Sequence, residues 1–461
     1  MHTEYLNTFI ARMKDRGQPE SIIDTFSKYY KKVVSGKKGL IFNRDIIPVN
    51  SSEVKGLDDL QEYADAGRGA FARTVQIVLN GGLGTSMGLS GPKLLIKARN
   101  NQSFLQIIID RAKHYGLKPA LMNSPNTHEK TLSEVEKISG SDPPVMFLQH
   151  QFPKILRDGF APALYPVNPE LEWNPPGHGD IYAALEESGT LQKLLDAGII
   201  YAFICNLDNL GSTPDASLLG YFAQNQFPFM MEVAEKTQAD VKGGHLARLK
   251  KDGRLIIREV AQCPEHELKA FQNIDVYRFF NTNNIWINLK NLKLIMQKRC
   301  TNGLPMILNP KYINPRDDNS PEVYQIETAM GSAISFFEDS TIVKVPRTRF
   351  VPVKKCSDLL AIRSDCFVFS KQDQLIPNPK RKIPPVKIEL DPKYYGKIDD
   401  FDKRFAQSVP SLIQCEALSV TGDVCFEQGI AIKGKVRITN PTNSQRVITK
   451  GTVIDRDLCF Q

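Results

Sequence analysis

The sequence predicts an α/β protein with a mostly parallel sheet, followed by a repetitive β segment. Three observations carry that prediction. Short apolar runs alternate with helical stretches between about residues 74 and 205, polar clusters sit at the carboxyl ends of those runs, and Leu418, Val424, Ile430 and Val436 recur every six residues. A chain of 461 residues has room for more than one domain. Its 41% hydrophobic and 24% charged residues are those of a globular protein, not a disordered one. No run of 18 apolar residues could span a membrane. The opening MHTEYLNTFIARMKDRG lacks the basic start and apolar run of a secretory leader, so a cytoplasmic location is expected. The eight cysteines form no CxxC pair, which argues against zinc and disulfides and for reduced thiols. The net charge of +8 points to anionic ligands and gives no support for nucleic-acid or membrane partners.

Element by element, Tyr5, Phe9, Ile10, Met13 and then Ile22, Ile23, Phe26, Tyr29 and Tyr30 fall at helical spacing, predicting a helical segment over residues 1–35. Residues 36–72, ending in AGRGA, read as a connector. Thr74–Leu79 (TVQIVL) reads as a strand, then a helix near 103–115, a strand at Ala120–Asn123, a helix near 128–138 and a strand at Val145–Leu148. A single helix over 181–196 precedes the buried-type run Ile199–Cys205. The basic, proline-rich stretch Pro377–Lys387 reads as a solvated linker. Beyond it, Val420, Phe426, Ile432 and Ile438 share the six-residue period, Gly422 and Gly434 lie twelve apart, and Val447 and Val453 continue the period after NPTNSQ. A hexad with glycines and β-branched residues between its apolar positions predicts a parallel β-solenoid. The expected divisions are 1–70 helical segment and connector, 71–370 catalytic domain, 371–410 linker and 411–461 solenoid.

Four segments carry candidate chemistry. In LNGGLGTSMGLSGPK, five glycines fall within eleven positions directly after a strand and lead to Lys93. Glycines let backbone amides approach phosphates, and the lysine supplies a point charge; the alternative is a tight structural turn. Neither a P-loop nor a Rossmann fingerprint is present. WNPPGHGD holds His178 and Asp180 in a stiff turn before a helix, where His178 is either a ligand-binding or a structural histidine. NLDN places Asp208 at the end of a buried strand, as a magnesium ligand shared with phosphates or as an Asx turn. PRTRFVPVKK sets two arginines and two lysines in an apolar, proline-stiffened frame, facing a cleft or clustered on the surface.

Together these segments resemble the eukaryotic-type UTP–glucose-1-phosphate uridylyltransferase family, or UDP-glucose pyrophosphorylases. The resemblance runs from about residue 70 to 440 through LNGGLGTSMG, LMNSPNT, PPGHGDIY, CNLDNLGST, MEVAEKTQADVKGG, REVAQCP, FNTNNIWI, IETAMGSAI and PRTRFVPVK. It implies a GT-A-like nucleotidyltransferase domain with a mixed, mostly parallel sheet and a C-terminal left-handed β-helix. It also implies reversible formation of UDP-glucose and pyrophosphate from UTP and glucose 1-phosphate, with Mg2+ as cofactor. By the same resemblance, Leu79, Asn80, Gly81 and Gly82 line the uridine side, Gln149 and Gly177 read the base, and Lys93 holds phosphates. Lys354 is the catalytic lysine, Asp208 the metal ligand with Asn206 and Leu207 beside it, and His178, Gly244, Glu259 and Asn283 contact the glucose phosphate. Two rival readings remain at this point: the same chemistry on galactose or N-acetylglucosamine 1-phosphate, or a catalytically silent UTP-binding module. His150 and His245 stand where the family more usually has small hydroxyl residues. The chain stops at Gln461, short of the animal enzymes that build octamers through this region, so a monomer or dimer is expected.

Overall fold

The computed structural model describes residues 2–461 except 38, 83, 85, 86, 90, 139, 141, 242, 299–302 and 371–373. Cys300, and the Leu83, Thr85, Ser86 and Ser90 positions of the glycine-rich turn, thus lie outside the described residues. At the centre is a seven-stranded sheet: β1 (Thr74–Asn80), β2 (Lys118–Asn123), β3 (Val145–Leu148), β4 (Tyr201–Asn206), β5 (Phe229–Glu235), β6 (Phe279–Asn288) and β7 (Thr341–Lys344). Its spatial order is β7-β5-β6-β4-β1-β2-β3. The pairs β4–β1, β1–β2, β2–β3 and β5–β7 are parallel, and only β6 runs against its neighbours. The sheet is mixed and mostly parallel.

Every residue of β1 is buried, as a strand covered on both faces requires. On one face, Val78, Leu121, Phe203 and Trp286 meet the helices Phe104–Tyr115 and Ala216–Gln224. On the other, Ile77, Met122, Ile204 and Ile285 meet the helices Ile181–Glu187 and Thr190–Asp196. The sequence predicts those last two as one helix; the chain breaks it at Gly189, whose φ of +69° is left-handed backbone that glycine adopts at no steric cost.

The N-terminal helices α1 (His2–Asp15) and α2 (Glu20–Val34) pack through Phe9, Phe26 and Tyr30 onto an antiparallel hairpin of Met306–Tyr312 and Glu322–Thr328, at Met306 and Ile326. Residues 36–72 are more than a connector. Ile46–Pro48 adds a strand to the small sheet of His245–Leu249 and Leu255–Arg258, and Ala64–Ala70 is a helix despite its glycines. Gly67 serves close packing: a Cβ there would sit 1.7 Å from the Ala216 carbonyl, as one on Gly220 of the facing helix would sit 1.9 Å from that of Tyr63, whereas a Cβ on Gly69 would meet nothing.

After residue 410 the strands pair in parallel, Ser411–Thr421 with Ala431–Thr439, Val424–Phe426 with Arg446–Ile448, and the 431–439 strand with 453–454 and 458–459. All eight hexad residues from Leu418 to Ile438 point inward and are at most 4% exposed. The period slips at NPTNSQ. Val447 and Val453 face solvent, and Ile448 and Ile454 fill the interior, because a shift of one residue in a strand exchanges its two faces. The predicted solvated linker is anchored at Arg381, whose guanidinium donates to the carbonyls of Leu412, Ile413, Pro384 and Cys415.

Candidate active site

The parallel register β1–β4 places Leu79 beside Asn206, so the glycine-rich turn and the NLD turn leave the sheet at one edge. The PRTRFVPVK segment then runs alongside. Asn209 accepts from the Val351 amide (2.8 Å) and donates to the Arg349 carbonyl (3.0 Å), and the Val353 amide donates to the Asp208 carbonyl (2.9 Å). This brings Lys354 to Asp208 from 146 positions away. The Asp208 Oδ2 carboxylate oxygen lies 2.5 Å from Lys354 Nζ and 3.1 Å from Lys93 Nζ. Lys93 Nζ also donates to the Val353 carbonyl. Burial draws the Lys93 ammonium below its ordinary pKa, against the opposing pull of Asp208.

What holds the PRTRFVPVK segment is a buried ion pair. Arg349 grips Glu232 of β5 through two 2.7 Å bonds, Nε to Oε2 and Nη2 to Oε1. Glu232 also accepts from Asn284 Nδ2 and Trp286 Nε1, both at 3.0 Å, and Arg349 donates to Thr213. With Glu232 fully buried, the pair is stable only because its partners are satisfied; removing one leaves an uncompensated charge. Glu232→Ala is expected to cost about 3–5 kcal/mol in chemical denaturation. A loss below about 1 kcal/mol would mean that the pair does not anchor this segment.

Two cavities open here and meet at His178. The first, about 820 Å³, is lined by Leu79, Gly81, Gly82, Lys93, Gln149, Gly177, His178, Asn206, Leu207, Asp208 and Lys354, with Met122 and Pro175. Gln149 Nε2 donates to the Gly177 carbonyl at 2.8 Å, and a Cβ on Gly81 would come within 2.9 Å of Gln149 Oε1. Gly177 has φ +80°, and a Cβ there would lie 2.4 Å from the Thr328 carbonyl, so only glycine fits. The second cavity, about 1210 Å³, contains His178, Gly244, Glu259 and Asn283. Asn283 reaches it through a bulge: Glu232 pairs with Asn284 and Val233 with Asn281, so Thr282 and Asn283 are looped out, Asn283 at φ +59°.

His178 Nδ1 accepts the Met330 amide at 3.0 Å, which fixes the tautomer and leaves Nε2–H as a donor. Burial, then Lys354, pushes its pKa down to about 4. Burial also raises the Glu259 carboxyl. Of the residues expected from the sequence, Asn80 alone lines neither cavity: its side chain turns inward to Asn123 (2.8 Å) and Thr131 (3.0 Å) and ties β1 to its neighbours.

With this geometry in hand, comparison with known proteins is decisive. Residues 23–433 match the UTP–glucose-1-phosphate uridylyltransferase family. The chain belongs to that family. The UTP–glucose-1-phosphate uridylyltransferase of Solanum tuberosum is 40% identical over 391 residues, spanning 83% of this chain and 80% of its own. A probable family enzyme of Schizosaccharomyces pombe is 32% identical over 458 residues, 97% and 88% of the two chains. Among solved structures, a point mutant of Leishmania major UDP-glucose pyrophosphorylase superposes with TM-score 0.90 at 38% identity over 98% of each chain. Another mutant of that enzyme, crystallised with UDP-glucose, gives TM-score 0.87 at 38% identity over 98% of this chain and 99% of its own.

His150 and His245, singled out in the sequence, both make structural contacts. His150 Nδ1 lies within 3.0 Å of both Asp180 oxygens, and the His150 amide donates to Asp180 at 2.7 Å, pinning the His178 turn to the segment just past β3 that carries Gln149. His245 is wholly buried and stacked 3.7 Å from Tyr277, its pKa pushed down to about 3 by burial, then by Lys236. The unfolded chain takes up that proton near pH 6.5 and the fold does not. His245 therefore leaves stability intact above about pH 6.5 and erodes it as pH falls toward 3, by at most about 1.4 kcal/mol per unit. His245→Ser should flatten the fall of the melting temperature between pH 6 and 4. An unchanged slope would show that His245 is not the group responsible.

Proposed function

We propose that the two cavities bind UTP and glucose 1-phosphate and join them into UDP-glucose, releasing pyrophosphate. The observation that carries this reading is the Lys93–Asp208–Lys354 cluster, beside the point where a glycine-walled cavity and a polar, carboxyl-bearing cavity share His178. The glycine-walled cavity takes the uridine: Gly81 and Gly82 let a flat base approach the backbone, and Gln149, held by Gly177, presents an amide to its edge. The second cavity takes the hexose, against Gly244, Glu259, Asn283 and the neutral His178.

In the reaction, a phosphate oxygen of glucose 1-phosphate attacks the α-phosphorus of UTP in line. The bond from that phosphorus to the oxygen bridging the α- and β-phosphates breaks, and its electron pair leaves with pyrophosphate. The protein positions the two anions and neutralises charge, and no residue forms a covalent intermediate. Lys93, nearly buried and doubly anchored, holds UTP phosphate oxygens. Lys354 bridges the attacking phosphate and the α-phosphate.

Among the described residues no cluster of three or more His, Cys, Asp or Glu side chains could hold a metal ion. A lone carboxylate at a strand end, facing a phosphate-binding lysine, nevertheless fits magnesium, which takes one or two carboxylates and completes its shell with phosphates and water. Asp208 would hold it, and the ion would supply neutralisation of phosphate charge. We further propose that residues 71–370 form a GT-A-like catalytic domain, that the parallel coils after residue 410 form a left-handed β-helix, and that the enzyme works in the cytoplasm.

The test is pyrophosphate release from UTP and magnesium with glucose 1-phosphate, beside galactose, mannose and N-acetylglucosamine 1-phosphates. Glucose clearly ahead supports the reading. Another sugar ahead would replace the substrate, and no turnover in protein that binds UTP would reduce the chain to a binding module.

A further inference from the structure

The hairpin of Met306–Tyr312 and Glu322–Thr328 has two dissimilar faces. Met306 and Ile326 bury one against α1 and α2. Ile307, Asn309 and Glu327 lie on the other, with Ile307 directly opposite Glu327 in register, and all three line the cavity that also holds Glu259. Glu327 packs closely where it stands: a Cβ on Gly177 would come within 3.2 Å of its Cβ, so the strand residue and the base-reading turn fit only because Gly177 has no side chain. Asn309, paired with Gln325, stands diagonally from Glu327 on the same face, and burial raises the Glu327 carboxyl's pKa.

A carboxyl in a half-buried cavity wall lacks the water it would have outside and is a strong acceptor for a hydroxyl hydrogen. The cations, Lys93 and Lys354, line the adjoining cavity and not this one. The charge layout therefore sorts a sugar phosphate end from end, with phosphate drawn to the lysines and hydroxyls to the carboxyls. Glu259 accounts for one wall of the hexose cavity. The hairpin wall has no assigned reader.

We propose that Glu327, beside Asn309 on the hairpin wall of the cavity, is a sugar-recognition residue that accepts a hexose hydroxyl hydrogen. This deepens the proposed function and rests on it. It gives the site a second hydroxyl-reading carboxyl and makes the hairpin a determinant of sugar preference. Because the hairpin's other face is the seat of the N-terminal helices, residues 2–34 support the sugar site without touching it.

Glu327→Gln and Glu327→Ala, each with an unchanged circular dichroism spectrum, test this. The expected result is a KM for glucose 1-phosphate raised about tenfold to a hundredfold in the alanine variant and less in the glutamine variant, with the KM for UTP within twofold of wild type. The preference for glucose over galactose 1-phosphate should narrow alongside. A glucose 1-phosphate KM within twofold of wild type, or equal rises in both KM values, would overturn the proposal. If Glu327→Ala does not fold, the glutamine variant carries the test. Calorimetric titration of glucose 1-phosphate into the UTP-loaded protein separates this proposal from its parent. If the wild type binds the sugar phosphate without turnover, the catalytic reading fails, and a weaker titration in Glu327→Gln would still support Glu327. An equal titration would overturn it.

Discussion

Lys354→Ala is expected to lower kcat by about three orders of magnitude or more while leaving the KM for UTP within a few-fold of wild type. The asymmetry follows from where the two lysines sit. Lys93 is 9% exposed and fixed by two anchors, so it is a preformed part of the proposed phosphate site. Lys354 is 60% exposed, and its ion-pair partner Asp208 is one it can exchange for phosphate oxygens as substrates arrive. A group that meets charge mainly as it develops contributes to kcat rather than to ground-state binding. Lys354 forms one edge of the proposed uridine cavity, and the walls made by Leu79, Gly81, Gly82, Gln149 and Gly177 keep their residues in the variant. Lys93→Ala should raise the UTP KM and lower kcat together. Initial rates of pyrophosphate release over a grid of both substrates give the split. Near-normal kcat in Lys354→Ala would remove it from the chemistry.

Much of this was legible in residue order. The β1 and β4 runs announce themselves by continuous apolar character, and the parallel ladder then forces Gly81 and Asp208 to one edge of the sheet. The hexad residues from Leu418 to Ile438 read correctly because burial in such coils is strictly periodic. What the sequence concealed has physical causes. The slip to Ile448 and Ile454 depends on how an interrupting loop spends its residues, which no period reveals. AGRGA looks like a connector because glycine lowers helix propensity, yet one of its two glycines, Gly67, is what lets that helix touch its neighbour. Asn80 sits among cavity-lining residues in sequence, but alternation in the strand turns its side chain inward. Glu327 lies within IETAMGSAI, but nothing in that segment says what it would touch: the role proposed for it arises only because a hairpin folded on the N-terminal helices turns its second face to the cavity.

Asp208→Ala should reduce activity at least as severely as Lys354→Ala, with a different signature. In the wild type, the Asp208 carboxylate would oppose the triphosphate of UTP, and a magnesium ion held there would offset that repulsion while the two lysines neutralise the remaining charge. Without Asp208, Lys93 and Lys354 lose their shared counterion. UTP in the absence of metal should then bind the variant at least as tightly as it binds the wild type, and added magnesium should no longer improve binding or rate. Binding is retained while turnover is lost, because an anion held too firmly by two cations is no longer placed for in-line attack. Calorimetric titration of UTP with and without magnesium, alongside the magnesium dependence of kcat, reads both halves. Asp208→Asn keeps the shape and removes the charge, so it should behave like the alanine variant if charge is the cause. A magnesium titration unchanged in both variants would show that the metal is held elsewhere, and that Asp208 serves only to position the two lysines.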